Sequence, residues 1–170
     1  MITPGEYYVL LGELVGAHKR LLLHGHLHER VTTQAYEKNF ETWNTILLSL
    51  ESGLVLGLNK ILEHKDYFGR EFKTEELNQL VDRIKNVRDK LIAHIDLSVA
   101  SVAEKRESFT KANELSGSDI IEVIQALEDR AVSYQKAFAI QFDVKELFRT
   151  ATKGAMDDLD LWLKSFKDPL

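Results

Sequence analysis

From Glu6 to Phe166 apolar residues recur at intervals of three and four with polar positions between them, the periodicity of helices that each bury one side. The spacing predicts a first helix from Glu6 to about Glu29, with Leu10, Leu11, Leu14, Leu21 and Leu22 on its apolar face. A second long helix is expected from Thr33 to His64, followed by a loop over His64 to Arg70. Thr74, with Glu75 and Glu76 behind it, supplies an N-cap and an acidic first turn for a third helix ending near Leu97. Its buried face is Leu77, Leu80, Val81, Ile84, Val87, Leu91 and Ile95. Residues 98–113 are polar and weakly patterned, which fits a short helix or an ordered loop. Ser116-Gly117-Ser118-Asp119 opens a helix to about Gln141, with Ile120, Ile124, Leu127, Ala131, Tyr134 and Phe138 on one face. Asp143-x-x-Glu146 has the form of a capping box and starts a final helix to about Phe166, which Gly154 is placed to bend.

The only prolines are Pro4 and Pro169, so nothing between them breaks a helix by ring geometry. An all-α chain is expected, a bundle of four to six helices with an up-and-down core in one domain over residues 1–170. Hydrophobic content of 44% and charged content of 29% are those of a soluble globular protein. The chain has no cysteine, so disulfide and thiolate chemistry are absent. The N-terminal residues lack a basic stretch leading into an apolar one, and a cytoplasmic protein without a membrane anchor is expected. The most apolar run, Ile46 to Leu58, is interrupted by Glu51 and is shorter than the ~20 residues that span a bilayer. A net charge of −5 argues against a broad basic surface that coats nucleic acid.

Two groups of residues stand out within the first two helices. Gly12 and Gly16, and again Ser49, Gly53 and Gly57, repeat at four-residue intervals. Each interior glycine costs ~1 kcal/mol of helix propensity, so the stripe points to close helix–helix approach. His24 and His28 lie four apart with His18 and His26 nearby, a spacing able to hold a transition metal, as a metal-binding helical hydrolase would require. The alternative is partly exposed histidines near a helix terminus, where a cation suits the dipole. Asp157, Asp158 and Asp160 read as a solvated acidic face, since no glycine-containing calcium loop surrounds them.

The strongest hint of chemistry is Arg88-Asp89-Lys90-Leu91-Ile92-Ala93-His94-Ile95-Asp96, a titratable cluster inside an apolar helix. Arg88 falls about 40° from Ile84 on the helical wheel, within the buried stripe, where an unpaired guanidinium is costly. His94 lies about 120° around the axis from Arg88 and ~9 Å along it. The pair cannot share one face of one helix, but Arg88 of one subunit can meet His94 of another across a two-fold axis. Arg83 and Lys85 add positive charge beside the motif; the competing reading is that they, Lys90, Asp82 and Asp89 form a solvated face.

The string Arg88-Asp89-Lys90-x-x-Ala93-His94-x-Asp96 resembles the R-x4-6-H motif of the HEPN superfamily, and within it the bacterial abortive-infection branch. Asn39-Phe40-Glu41-Thr42-Trp43, leading into the apolar helix, extends the similarity to the middle third of the chain. Arg20-x5-His26 is a second match, disfavoured because Leu21 follows its arginine and Gly25 is expected to interrupt its helix. The resemblance implies an all-helical homodimer that cleaves RNA without a metal or cofactor, acting as a toxin or phage-defence protein, with an antitoxin partner where it is a toxin. It implies catalytic roles for Arg88 and His94 with supporting roles for Asp89, Lys90 and Asp96, and the local positive charge makes Arg83 and Lys85 the expected RNA contacts. Some HEPN toxins carry a tyrosine two residues after the histidine, modified by a partner nucleotidyltransferase; here that position is Asp96. A non-catalytic HEPN-like module binding a nucleotide, RNA or partner is the alternative.

Overall fold

Thr3 starts the first helix, α1 (Pro4–Arg30): its hydroxyl accepts the Glu6 amide, and the Glu6 carboxylate accepts the Thr3 amide at 2.6 Å. These bonds hold the exposed Glu6 carboxyl below its ordinary pKa. The computed structural model describes residues 3–95, 115–138 and 140–165, with backbone alone for 33–35, 90–95, 136 and 165. Beyond α1 lie α2 (Thr33–Lys38), α3 (Phe40–Leu62), α4 (Glu75–Ile95), α5 (Gly117–Ala137) and α6 (Val144–Ser165). No strand occurs among the described residues, and the fold is an all-α helical bundle. The weakly patterned stretch 98–113 lies outside the described residues.

α1 is the central element, packed against α3, α5 and α6, while α4 bridges α3 and α5. The larger core gathers Leu10, Leu14, Leu58, Ile84 and Leu127 around the fully buried rings of Tyr7 and Phe68. A smaller cluster at the other end joins Leu23 and Leu27 of α1 to Trp43 and Leu47 of α3 and Leu159 of α6. Of the predicted apolar faces, Leu80, Val81, Ile84 and Val87 in α4 and Ile124, Leu127 and Ala131 in α5 are buried, Leu77, Ile120, Tyr134 and Phe138 are half-buried, and the side chains of Leu91 and Ile95 lie outside the described residues. α3 is the one helix among the described residues long and apolar enough to cross a membrane, because the helix runs 23 residues where its apolar run is shorter. Here it packs into the bundle against α1, α2 and α4.

Two helix boundaries and two local details depart from the expected ones. The helix expected over Thr33 to His64 is two, broken at Asn39, whose φ of −129° and ψ of 38° are not helical. The break turns α2 so that Tyr36 packs on the smaller cluster and its ring meets Phe40 edge-on at 5.4 Å. Gly25 does not interrupt α1, which continues to Arg30. α5 ends at Ala137 rather than Gln141, since the Gln135 side chain bridges the connection by donating to the Phe142 carbonyl and accepting from the Val144 amide. At the start of α6, Asp143 caps the amides of Lys145 and Glu146, but the Glu146 carboxylate pairs with Arg149 instead of closing the box.

The connection between α3 and α4 is folded onto the bundle rather than left loose. Gly69 lies so near the end of α3 that a Cβ there would fall 2.0 Å from the Leu62 carbonyl oxygen. Arg130 of α5 reaches across to donate to the carbonyls of Phe68, Arg70 and Glu71 at 2.5–2.8 Å, and lies 3.6 Å over the Phe72 ring. Burial of this guanidinium among carbonyls depresses its pKa, but the group stays charged. Asn78 completes the anchor by bonding both the amide and the carbonyl of Phe72.

The acidic stretch near the C-terminus is partly a seam. Asp158 pairs with Lys19 at 3.2 Å and Asp160 with Arg30 at 2.7 Å, tying α6 to α1.

Candidate functional site

Arg88 sits in the third turn from the end of α4, flanked on the buried side by Val87 and Ile84. Its side chain is 25% exposed, and it is not unpaired. Nη1 donates to Glu63 Oε1 at 2.7 Å, and Glu63 is the C-cap of α3. The same carboxylate oxygen accepts Asn59 Nδ2 at 2.8 Å, so an amide and a guanidinium converge on one acid. The Asn59 bond, with a smaller contribution from Arg88, holds the Glu63 carboxyl below its ordinary pKa. Asp89 Oδ1 lies 2.6 Å from Arg88 Nε, but the approach is misaligned and Nε completes no hydrogen bond there. The second terminal nitrogen, Nη2, makes no hydrogen bond among the described residues.

Chemically this is a guanidinium held in one orientation by two carboxylates, with one edge uncommitted. Two acids on one arginine neutralise much of its charge locally, so an incoming phosphate meets the remaining edge of the fork against the field of both carboxylates. α4 continues unbroken to Ile95, so the backbone carries His94 six residues beyond Arg88, on another face of the same helix. The side chains of Lys90 and His94, and the whole of Asp96, lie outside the described residues. Arg83 and Lys85 are half-buried; Lys85 pairs with Asp82 at 3.2 Å, and the pKa of Asp119 on α5, lowered chiefly by hydrogen bonds from the Ser116 amide and hydroxyl, is lowered slightly further by the field of Arg83. Neither is a bare cation beside the motif. Glu63 and Asn59 carried no functional reading in the sequence: an amide four residues before a carboxylate is a local pattern, but its third member arrives from another helix.

The histidines divide among different neighbours. His18 lies 2.6 Å from Glu128 of α5 and 2.9 Å from the Thr152 hydroxyl of α6. His24 contacts Glu51 of α3 at 2.7 Å, with its ring 4.8 Å from that of His28. His26 turns back to Glu29. Among the described residues no group of three histidine or acidic side chains converges as metal ligands do, which removes the geometric support for a His18–His24–His28 metal site. A mostly apolar cavity of about 260 Å³ lies beyond His28, lined by Leu27, Val31, Tyr36, Trp43 and Leu47.

No protein-family model, curated protein or solved structure matches the chain.

Proposed function

We propose that the protein is a homodimeric, metal-independent endoribonuclease of HEPN type, with Arg88 and His94 of α4 as the reacting pair. The observation that carries this reading is the support around Arg88: Glu63 and Asp89 flank a guanidinium that would otherwise swing freely, and Nη2, which makes no hydrogen bond among the described residues, is the nitrogen placed to meet a phosphate. In this reading Arg88 binds the scissile phosphate and stabilises its developing negative charge. His94 moves the proton of the ribose 2′-hydroxyl, the general acid–base role that an imidazole side chain fills. Attack by the neighbouring 2′-hydroxyl needs an RNA substrate and yields a 2′,3′-cyclic phosphate and a 5′-hydroxyl. The splayed positions of Arg88 and His94 on α4 make a two-fold dimer the arrangement that brings them together.

One observation favours a second reading. Two carboxylates already neutralise Arg88, as they would in a non-catalytic module that binds a partner or nucleotide elsewhere. Incubation of single-stranded RNA with the purified protein and EDTA separates the two. The endonuclease reading expects cleavage that persists in chelator and leaves cyclic phosphate ends. Intact RNA, or cleavage that EDTA abolishes, contradicts it.

A further inference from the structure

Asn59 interrupts an apolar stripe. On α3 it lies four residues after Val55 and three before Leu62, the spacing of one helix face, and those neighbours are 4% and 1% exposed. Asn59 itself is only 5% exposed. Its Nδ2 donates to Glu63 Oε1 at 2.8 Å, while its Oδ1 is buried with no hydrogen-bond partner among the described residues. Turning the amide over gives no relief, because Oδ1 would then face the Glu63 carboxylate and the amide hydrogens would be stranded instead. A buried acceptor left unpaired is destabilising, and a leucine of the same branched shape would avoid the penalty. Stability is given up at this position, and the bond to Glu63 is what the amide provides in return.

Glu63 also breaks a local rule. It is the C-cap of α3, where a carboxylate opposes the helix dipole, and its side chain is 56% exposed. Among the described residues its side chain bonds only Asn59 and Arg88, and one oxygen, Oε1, takes both. The anchored end of this series is the amide, since Asn59 is buried in the bundle while both charged side chains reach solvent. Two residues one turn apart thus depart from what their helix favours, and both departures end at Arg88. From the burial and the order of these bonds we infer that Asn59 is a positioning residue for the Arg88 phosphate site: it fixes the Glu63 carboxylate, and that carboxylate fixes the guanidinium. The inference rests on the reading of Arg88 as the phosphate-binding group, and it adds control of that group from inside the bundle.

The test compares Asn59→Leu with wild type. In wild type the two Nη groups of Arg88 are expected to give separate NMR signals, because Nη1 is held by Glu63; in Asn59→Leu these signals merge. Cleavage of single-stranded RNA is expected to fall ~10–10²-fold in kcat/KM, the range for a displaced positioning group. The melting temperature is expected to stay at or above the wild-type value, because the variant removes an unpaired buried acceptor. Glu63→Ala, at the exposed end of the series, is the second variant. It should merge the same signals, and the double variant should cleave no more slowly than Glu63→Ala alone, because both changes act through one contact. Arg88 signals that stay separate in Asn59→Leu, losses that add in the double variant, or an Asn59→Leu protein that melts well below wild type would each overturn the inference. The last result would assign Asn59 to the fold. Wild-type protein that leaves RNA intact overturns the endonuclease reading and the role of Asn59 within it together, whereas equal cleavage by wild type and Asn59→Leu removes Asn59 alone.

Discussion

Replacing His94 by alanine is expected to lower RNA cleavage by ~10²–10⁴, the range for loss of a group that transfers a proton in the transition state. Arg88→Lys is expected to be nearly as damaging, for a reason visible in the geometry. Arg88 commits Nη1 to Glu63 and directs Nε towards Asp89, so phosphate must be met by the remaining edge of a planar fork. An ammonium is a single point charge and cannot hold Glu63 and a phosphate at once. His26→Ala is the internal control. His26 belongs to the second arginine–histidine match, but its ring is turned to Glu29, three residues on in the same helix, and its loss should leave cleavage nearly unchanged. A chain in which His26→Ala is damaging and His94→Ala is not has its chemistry on α1 rather than α4. Rates measured on one RNA under single-turnover conditions decide the matter.

Arg130→Met is expected to have the largest effect on stability, about 3 kcal/mol, which corresponds to a fall of ~10 °C in melting temperature for a chain of this size. The estimate comes from three charge-assisted bonds to the carbonyls of Phe68, Arg70 and Glu71, discounted because part of that loop meets water once the donor is gone. Methionine keeps the packing on Phe72 and removes the donors. Arg130→Lys should recover only a minor part, since one ammonium cannot span three carbonyls. The same loop carries Glu63 at its start and leads into α4, so its loosening should also free the Arg88 side chain from its acid. Denaturant unfolding checks the energy. An unfolding midpoint equal to wild type would show that the loop is held by Phe68 and Phe72 alone.

Much of the architecture was legible because one signal, apolar periodicity, sets both element type and buried face. Ile84, Leu127 and Leu14 lie in the core for the reason that made them recognisable in the sequence. What escaped the pattern depends on contacts between distant residues. Asn39 is not a strong helix breaker, and it ends α2 because the turn lets Tyr36 reach Trp43 and its neighbours, a tertiary gain that local propensity does not encode. Gly25 fails to break α1 for the converse reason, since Leu23 and Leu27 on either side are buried and hold the helix through it. The glycine stripe was visible, but its occupant was not: the residue filling the space is Arg20 from the facing surface of α1. At the candidate site the sequence offered Arg88 and the adjacent Asp89, while Glu63, the acid that orients the guanidinium, lies 25 residues away and is joined to it only by the fold.

The central claim is that Arg88 of one subunit and His94 of another complete a single site, and mixing two inactive variants tests it most directly. Arg88→Ala and His94→Ala proteins, each inactive alone, are unfolded together, refolded and assayed on single-stranded RNA. Half of the randomly reassembled dimers carry one of each chain, and each of these holds one intact site and one doubly defective site. The account predicts recovery to about one quarter of wild-type activity, in proportion to the mixed dimers formed. Mixed dimers that form and stay inactive would contradict it, because a site built within one chain is broken in both variants and mixing cannot repair it.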